Sequence, residues 1–404
     1  MTSEEHTRIL LYSHDSWGLG HLRRSLAIAG AIQRKNSQAA TLIVTGSPCA
    51  TQFELPEGCD VMKLPAVSKD ADGNYVPRKL GGHVSNAVQL RSRLISEAYR
   101  SFRPHIVIVD HQLTGLLNEA LDMLQMARQD GCLLIYGMRD VLDEPKVVEA
   151  AWNQPEQQWA LREAYDRIFI YGDPMVFDPS EAYASLRPYR SKIEFTGYIV
   201  APIDLDARMP VPSLRRRVMV TTGGGEDGGR HINKYIDALE LAAVPWDSHI
   251  VTGPLVSDPW VRDIKRRVYG LGLAEQVRVS QFMPNIPSKL QQSDAVVSMA
   301  GYNTCSEIMQ SGLPSILLPR QVPRREQLIR AKRLEQLGLA DCLVDPSAEV
   351  LRERIMAALE QGRRPSVYPS LDGVDKICEM LKRARVETDN TMRGERPALR
   401  SVVR

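Results

Sequence analysis

Strand-like segments alternate with helical patterns along the whole chain, and this alternation limits the possible folds more than any other feature. Short apolar runs rich in β-branched residues are separated by longer stretches with helical spacing of apolar residues. The expected strands span residues 8–12, 40–45, 61–64, 106–110, 133–137 and 167–171 in the first half, and 218–222, 248–252, 277–282, 295–299 and 315–318 in the second. The pattern predicts an α/β protein with two doubly wound, Rossmann-like parallel sheets.

The length and the proline spacing divide the chain into two domains. With 404 residues, the chain is longer than one ordinary core requires. Between Gly197 and Arg217 the periodicity is interrupted by Pro202, Pro210 and Pro212. We therefore expect a first domain at residues 1–205 and a second at 206–372, then a helix within 373–385 and a disordered tail at 386–404.

Composition indicates a globular protein and narrows the function classes. The chain is 43% hydrophobic and 25% charged, with a net charge of +2, which gives no argument for binding nucleic acid. Six cysteines are dispersed without metal spacing, so neither a disulfide framework nor a metal site is expected. No apolar run reaches the length of a membrane-spanning helix. A cytoplasmic protein is predicted, and peripheral membrane contact stays open.

Residues 295–310 predict a strand, a tight turn and a helix that together form an anion site. The backbone N–H groups and the dipole at the helix N-terminus favour phosphate, and Gly301 allows close approach. Asn303 or Thr304 could cap the helix and contact the ligand. Glu307 lies one turn further, where a carboxylate could accept hydrogen bonds from a ribose diol. The alternative is a capping box formed by Thr304 and Glu307 without any ligand.

A second polar pair and a glycine loop belong to the same half of the chain. Glu326 and Gln327 begin a predicted helix after a polar loop, and such adjacent side chains suit sugar hydroxyl groups, which both donate and accept. A glycine loop follows the strand expected at 218–222. Its members, Gly223, Gly224 and Gly225, would let phosphate approach backbone N–H groups.

The first half begins with a strand, a glycine turn and a helix that carries a histidine at its start. The turn contains Gly18 and Gly20, and His21 follows directly. A neutral imidazole there could take a proton from an acceptor hydroxyl group at physiological pH. The alternative is a histidine that caps the helix. Arg23 and Arg24 could hold a phosphate of the acceptor, or lie on a solvated helix face.

Further candidates lie on the acceptor side, each more often structural than catalytic. His14 is in the same turn, while Asp110 and His111 follow a predicted strand at its carboxyl end, where open α/β sheets bind ligands. The turn at 137–140 has the same position. The polar stretch at 68–85 is expected to be a mobile loop that shapes the acceptor site.

The order of these motifs resembles the GT-B glycosyltransferases, most closely the group that contains the N-acetylglucosaminyltransferase of peptidoglycan synthesis. The resemblance covers about residues 217–342 and extends to the Gly-x-Gly-His turn of the first half. It implies that Glu307 holds the ribose, that Glu326 and Gln327 hold the donor sugar, and that residues 301–304 face the diphosphate. It further implies that the segment Phe282-Met283 contacts the base. A last helix that packs back on the first domain is also implied.

The resemblance implies a hexosyl- or N-acetylhexosaminyltransferase of cell-envelope, polysaccharide or natural-product glycosylation. A nucleotide sugar, with UDP favoured, would be the co-substrate, and transfer would be inverting and independent of metal or other cofactor. The acceptor is open and includes small molecules, glycans and lipid-linked sugars. The sequence departs from the peptidoglycan group at Glu326, where that group has Gln, and at Met299, where it has Arg. The donor sugar and base therefore stay open.

Three alternatives to a transferase remain. The pattern Gly-x-Gly-His-x-x-Arg, ending at Arg24, also resembles hydrolases that split nucleotide-linked sugars and activate water with the histidine. A nucleotide-sugar 2-epimerase shares the fold, although no residue specifically supports it. A non-catalytic protein that binds a sugar nucleotide would not need His21 at all.

Overall fold

The computed structural model describes residues 6–13, 20–70, 74–200, 214–225, 227–283, 286–362 and 369–392, and within them two parallel sheets dominate. The strands of the first domain are β1 (Arg8–Ser13), β2 (Ala40–Thr45), β3 (Cys59–Lys63), β4 (Val67–Lys69), β5 (Tyr75–Pro77), β6 (Ile106–Asp110), β7 (Leu133–Arg139), β8 (Arg167–Tyr171) and β9 (Ile193–Phe195). Its helices are α1 (Gly20–Lys35), α2 (Val84–Phe102), α3 (Leu121–Gln129), α4 (Pro145–Trp152), α5 (Pro155–Trp159) and α6 (Pro179–Ala182). Shorter 3₁₀ or π-helical segments lie at Ala50–Gln52, Leu116–Asn118, Ala160–Ala164 and Ala184–Lys192.

The first sheet has seven parallel strands in the order β3-β2-β1-β6-β7-β8-β9. Its central strands are buried on both faces, because helices cover the sheet on either side, and β6 is buried at all five positions. The carboxyl ends of β1 and β6 therefore meet at one edge of the sheet. This edge is where a doubly wound sheet binds its ligand.

The second sheet has six parallel strands in the order β12-β11-β10-β13-β14-β15. These strands are β10 (Arg216–Thr221), β11 (Trp246–Val251), β12 (Val277–Ser280), β13 (Ala295–Ser298), β14 (Ser315–Leu317) and β15 (Asp341–Cys342). The helices around them are α7 (Gly229–Glu240), α8 (Asp258–Gly270), α9 (Ile286–Leu290), α10 (Tyr302–Ser311), α11 (Glu326–Gln336), α12 (Ala348–Gln361) and α13 (Gly373–Met392). The neighbours β10 and β13 bring the glycine loop and the start of α10 together.

The last helix, α13, packs on the first domain rather than on the second. It lies against α1, and Arg385 donates a hydrogen bond to the Thr7 hydroxyl oxygen. Two of our expectations for this region need correction. The helix is longer than the expected 373–385, and residues 386–392, expected to be disordered, belong to it. A carboxylate at Glu387 pairs with Arg167 of the first domain at 2.5 Å, which favours the longer helix.

Two further expectations about loops change. The stretch at 68–85 was expected to be a mobile loop, but β4 and β5 pair there as an antiparallel hairpin, and α2 begins at Val84. The short strands β9 and β15 were not predicted, because two or three residues carry too little periodicity. The boundary expected at 205–206 lies outside the described residues, which leave out 201–213.

The two domains share a buried contact. A single apolar cluster continues from Ile9 of β1 to Ile308 of α10 and Leu334 of α11. Within the interface, Arg330 of α11 donates to both carboxylate oxygens of Asp140, at 2.6 to 3.2 Å, and both side chains are 0% exposed. Arg330 keeps the pKa of Asp140 low, although burial alone would raise it. No helix in the described part of the chain combines the length and apolarity needed to cross a membrane.

Candidate functional site

A cavity of about 590 Å³ lies between the carboxyl edges of the two sheets. Its volume is in the range of small-molecule sites in proteins, about 300–1,000 Å³. Both domains supply its walls: Gly20 and His21 at the start of α1 face Gly223 and Gly301 after β10 and β13. This is the position at which open parallel sheets bind ligands.

The glycine loop after β10 forms one part of the second-domain wall. Gly223 and Gly225 have φ angles of 69° and 95°, which only glycine adopts without strain. A Cβ atom on Gly225 would lie 2.2 Å from the carbonyl oxygen of Thr252. A Cβ atom on Gly223 would lie 3.8 Å from the Thr304 hydroxyl oxygen. The loop therefore requires glycine for its conformation, and it brings its backbone next to α10.

The start of α10 forms the adjoining part. Gly301 is the N-cap and no side chain caps the helix, so neither Asn303 nor Thr304 acts as a cap. The capping-box alternative is therefore wrong. Instead, the Asn303 amide donates to the carbonyl oxygen of Gly20 across the cleft, at 3.1 Å. The positive end of α10 opens into the cavity, which is the arrangement that favours a bound anion.

Glu307 lies one turn further along α10 and pairs with Arg23 of the first domain. Burial raises the pKa of the Glu307 carboxyl group, and the Arg23 guanidinium opposes that shift. Both side chains line the cavity. The carboxylate expected to hold a ribose thus forms an ion pair across the cleft in this structure.

The predicted sugar-binding pair lies at the start of α11, on the cavity wall. Glu326 accepts a hydrogen bond from Arg320, and the backbone N–H of Arg320 donates to Gln327 Oε1 at 3.2 Å. Arg320 also pairs with Asp227 at 2.5 Å. Glu326 Oε2 is buried and has no hydrogen-bond partner in the protein. Such an oxygen atom can accept a hydrogen bond from a ligand hydroxyl group.

Phe282 and Met283 end the second-domain wall, after β12. Phe282 is 43% exposed although it is aromatic, and it lines the cavity together with Met299. An exposed aromatic side chain at a cavity mouth suits a flat ligand group.

A buried cluster of charged side chains lies behind the opposite wall. His21 Nδ1 lies 2.6 Å from Asp110 Oδ2, and Arg24 donates to both oxygens of Asp110 at 2.6 and 2.8 Å. His21 lines the cavity, whereas Asp110 does not and lies beneath it. The three residues form a unit in which Asp110 contacts both the Arg24 guanidinium and the His21 imidazole, and His21 faces the ligand space.

The charge states of this cluster follow from burial and pairing. Burial alone would raise the pKa of Asp110, but Arg24 and His21 lower it to about 2. Burial lowers the pKa of His21 to about 4, more than Asp110 raises it. At pH 7 the carboxylate is therefore ionised and the imidazole neutral. Asp110 Oδ2, which only accepts, lies 2.6 Å from Nδ1, nearer than the Arg24 Nη2 donor at 2.8 Å, so we assign the ring proton to Nδ1, which makes Nε2 the basic nitrogen.

Arg24 is buried at the cavity wall, with its guanidinium group between two aromatic rings. Its guanidinium carbon lies 5.2 Å from the ring centroid of Tyr171 and 5.1 Å from that of Tyr302. Both distances are typical of cation–π contacts. Tyr302 comes from the second domain, so this arginine also connects the domains. The side chain positions Asp110 and, through it, His21.

His111 extends the same wall. Its φ of 72° lies in the left-handed region, which is rare for a residue other than glycine. The ring centroid lies 4.9 Å from that of His21, and His111 lines the cavity. Unusual backbone angles concentrate at functional sites, so this geometry fits a residue near the ligand.

The structure thus brings most of the predicted site residues to one cavity. Those on its walls are Gly20, His21, Arg23, Arg24, His111, Gly223, Gly224, Gly225, Phe282, Met283, Gly301, Asn303, Thr304, Glu307, Glu326 and Gln327. His14 and Gly18 lie outside the described residues. Their roles, and those of the residues on the walls, stay predictions.

Further cavity residues lie outside the set of predicted site residues. Arg320 and Arg324 come from the loop before α11, and Tyr75 comes from the hairpin β4-β5. Arg139 ends β7, at the carboxyl edge of the first sheet. Arg139 belongs to the turn at 137–140, which the sequence already indicated as acceptor-side. In the described part of the chain, no group of three or more His, Cys, Asp or Glu side chains is placed to hold a metal ion.

The chain is similar to known glycosyltransferases in sequence and fold. Residues 236–369 match the model of the glycosyltransferase family 28 C-terminal domain. A UDP-N-acetylglucosamine--N-acetylmuramyl-(pentapeptide) pyrophosphoryl-undecaprenol N-acetylglucosamine transferase of Leuconostoc citreum is 35% identical over 120 residues, or 29% of this chain and 32% of that protein. The chain spans 32 to 47% of the length of the curated relatives it matches.

Solved structures match over nearly the full length. The glycotransferase of kitacinnamycin has a TM-score of 0.59 at 16% identity and covers 97% of this chain and 98% of its own. MurG of Acinetobacter baumannii has a TM-score of 0.57 at 13% identity, with 93% of this chain and 99% of that chain covered. The chain therefore has the GT-B fold of two facing Rossmann-like domains, and its second domain resembles the C-terminal domain of glycosyltransferase family 28.

Proposed function

We propose that this protein is a glycosyltransferase that moves a hexosyl or N-acetylhexosaminyl group from a nucleotide diphosphate sugar to an acceptor in the first domain. The observation that carries the proposal is the cavity itself. It has an uncapped helix N-terminus and a glycine loop on one wall, and a histidine supported by a buried carboxylate on the other.

The second-domain wall suits the donor. A diphosphate can lie against the start of α10 and the glycine loop, where backbone N–H groups favour negative charge. The ribose diol can donate to Glu307, and a sugar hydroxyl group can donate to Glu326 Oε2, which has no protein partner. Phe282 and Met283 can cover the base. A UDP-sugar is favoured, because the curated relative named above is a UDP-N-acetylglucosamine transferase.

The first-domain wall suits proton removal. An acceptor hydroxyl group attacks the anomeric carbon, its proton passes to His21 Nε2, and the bond from the sugar to the diphosphate breaks. Asp110 stabilises the imidazolium that forms, since it lies 2.6 Å from Nδ1. The charge on the departing diphosphate is stabilised by the helix start and by the loop amides.

We further propose that transfer inverts the anomeric centre and needs no metal ion, as the family resemblance implies. We place the activity in the cytoplasm, at a membrane surface where the acceptor is lipid-linked. The acceptor itself is a small molecule, a glycan or a lipid-linked sugar.

A hydrolase is the second candidate, because a His–Asp pair activates water as it activates a hydroxyl group. Arg24 contacts both Asp110 and His21, and these contacts position the base whatever the nucleophile. They therefore fit a hydrolase as well as they fit a transferase.

The test is a calorimetric screen of the purified protein against UDP, GDP, dTDP, CDP and their common sugar conjugates. The tightest conjugate is then incubated with enzyme alone and analysed by mass spectrometry. A conjugate that binds and stays intact supports a transferase without its acceptor. Rapid release of free sugar identifies a hydrolase, and the absence of any nucleotide binding contradicts the proposal.

A further inference from the structure

Five arginines line the cavity, and they differ in how their charge is compensated. Arg23 pairs with Glu307, Arg24 with Asp110, and Arg320 with Asp227 and Glu326. Neither Arg139 nor Arg324 has a hydrogen bond or an ion pair within the described residues. These two arginines come from opposite domains, one from the end of β7 and the other from the loop before α11.

Arg139 is the more unusual of the two, because its Nε atom is buried and without a protein partner. Burial, together with the charges of Arg330, Arg24 and Arg324, lowers the pKa of Arg139 to about 10. The Glu326 carboxylate opposes this shift. The guanidinium nevertheless carries its charge at pH 7. A buried N–H donor without a hydrogen-bond partner is costly for a folded protein, so folding alone does not account for this one.

The position of Arg139 separates it from the wall expected to bind the donor diphosphate. That wall consists of backbone N–H groups in the second domain, at 223–225 and 301–304. Arg139 belongs to the first domain, at the end of β7, and it lines the same cavity as His21 and as Glu326 of the predicted sugar pair. It therefore lies where the donor sugar and an acceptor would meet.

We propose that Arg139 and Arg324 form a site for an anionic group, a phosphate or a carboxylate, on the acceptor. A guanidinium group pairs with either anion through two parallel hydrogen bonds, and an anion between two arginines compensates both charges. The assignment to the acceptor rests on the proposed glycosyltransferase function. The anion site itself is testable without it.

The first test uses inorganic phosphate and acetate as probes, titrated by calorimetry at constant ionic strength. The titrations are done with the free protein and again with the tightest nucleotide of the screen at saturation. Phosphate should bind under both conditions, and Arg139→Gln should weaken it roughly tenfold or more. Arg324→Gln should also weaken it. Arg325→Gln is the matched control, since Arg325 pairs with Glu144 and does not line the cavity, and it should bind as wild type.

Each result decides between the alternatives. Stronger binding of phosphate than of acetate indicates a phosphorylated acceptor, and the reverse indicates a carboxylated one. If phosphate competes with the nucleotide and Arg139→Gln weakens the nucleotide equally, the arginines serve the donor diphosphate and the proposal is overturned. It is also overturned if Arg139→Gln leaves phosphate binding unchanged. If no nucleotide binds but phosphate binding depends on Arg139, the anion site stands and the glycosyltransferase function fails.

Thermal unfolding gives an independent readout. Because Arg139 has no protein partner, Arg139→Met should melt at the same temperature as wild type or higher in the absence of ligand. A clear loss of stability would show that Arg139 has a structural role, and would contradict the anion site. The same melting curves confirm that the variants in the binding tests are folded.

Discussion

The two walls of the cavity are built in different ways. The second-domain wall consists of short consecutive segments, a glycine loop and the starts of two helices, that present backbone groups and a few side chains. The first-domain wall depends on a buried cluster whose members are far apart in sequence, since Asp110 is 89 residues from His21. An anion site can therefore be built from residues that are close in sequence, whereas positioning a base requires the packing of the whole domain.

The largest expected effect concerns the first-domain wall. His21→Ala removes the proposed base and should lower turnover by roughly 10² to 10⁴ fold, while donor affinity stays near wild type. Steady-state kinetics with the donor identified by the screen, together with calorimetry, measures both quantities. His6→Ala is the control, since His6 is exposed and precedes β1, at the edge of the sheet away from the cavity. Turnover that survives in His21→Ala would make the histidine structural and leave the first wall without its proposed function.

The pH dependence of stability tests the burial of the same histidine. Its pKa is about 4 in the folded protein and about 6.5 in the unfolded chain. Between these values the unfolded chain binds more protons, so stability is retained above pH 6.5 and falls as the pH is lowered toward 4. The shift corresponds to about 3 kcal/mol. Urea unfolding between pH 4 and 7 should be less pH-dependent in His21→Gln than in wild type, and equal slopes would contradict a buried neutral imidazole.

The next effect concerns the second-domain wall. Glu307→Ala should weaken binding of the nucleotide by about 1.5 to 3 kcal/mol, because a charged hydrogen-bond acceptor is lost. Calorimetry with the nucleoside diphosphate measures the change directly. Glu353→Ala, on the exposed face of α12, is the control. An unchanged affinity in Glu307→Ala would remove the ribose assignment.

The smallest effect concerns the ion pair that joins the walls. Arg23 forms an ion pair with the Glu307 carboxylate. Because Arg23→Gln removes this pair, it should free the carboxylate for the ligand and strengthen nucleotide binding by up to about 1 kcal/mol. Arg34→Gln, on the exposed face of the same helix, is the control. Weaker nucleotide binding in Arg23→Gln would instead show that Arg23 holds a donor phosphate.

The alternation of strands and helices was enough to predict the fold, because buried parallel strands are continuous apolar runs. The expected strands at 40–45, 106–110 and 167–171 coincide with β2, β6 and β8. The hairpin β4-β5 and the strands β9 and β15 were missed, since they are too short for a periodic pattern. The extent of α13 also escaped prediction, because its stability comes from contacts with the first domain rather than from its own sequence.

In the candidate site, too, features that are local in sequence could be predicted and contacts between distant residues could not. The glycine loop and the start of α10 could be located from sequence, because each is one turn beside one strand. The support of His21 by Asp110, and the enclosure of Arg24 by Tyr171 and Tyr302, could not. These contacts depend on which strands are neighbours and on how the two domains face each other. The ion pair between Arg23 and Glu307 was hidden for the same reason.

We propose that the second-domain wall binds the donor and that the first-domain wall supplies the base. Hydrogen–deuterium exchange with and without the tightest nucleotide of the screen tests this assignment most directly. If the second domain binds the donor, protection from exchange should increase in 222–225 and 299–307. Little change should occur in the β6 segment 106–113. Protection centred on β6 and α1, with none in the glycine loop or α10, would contradict the assignment of the donor to the second domain.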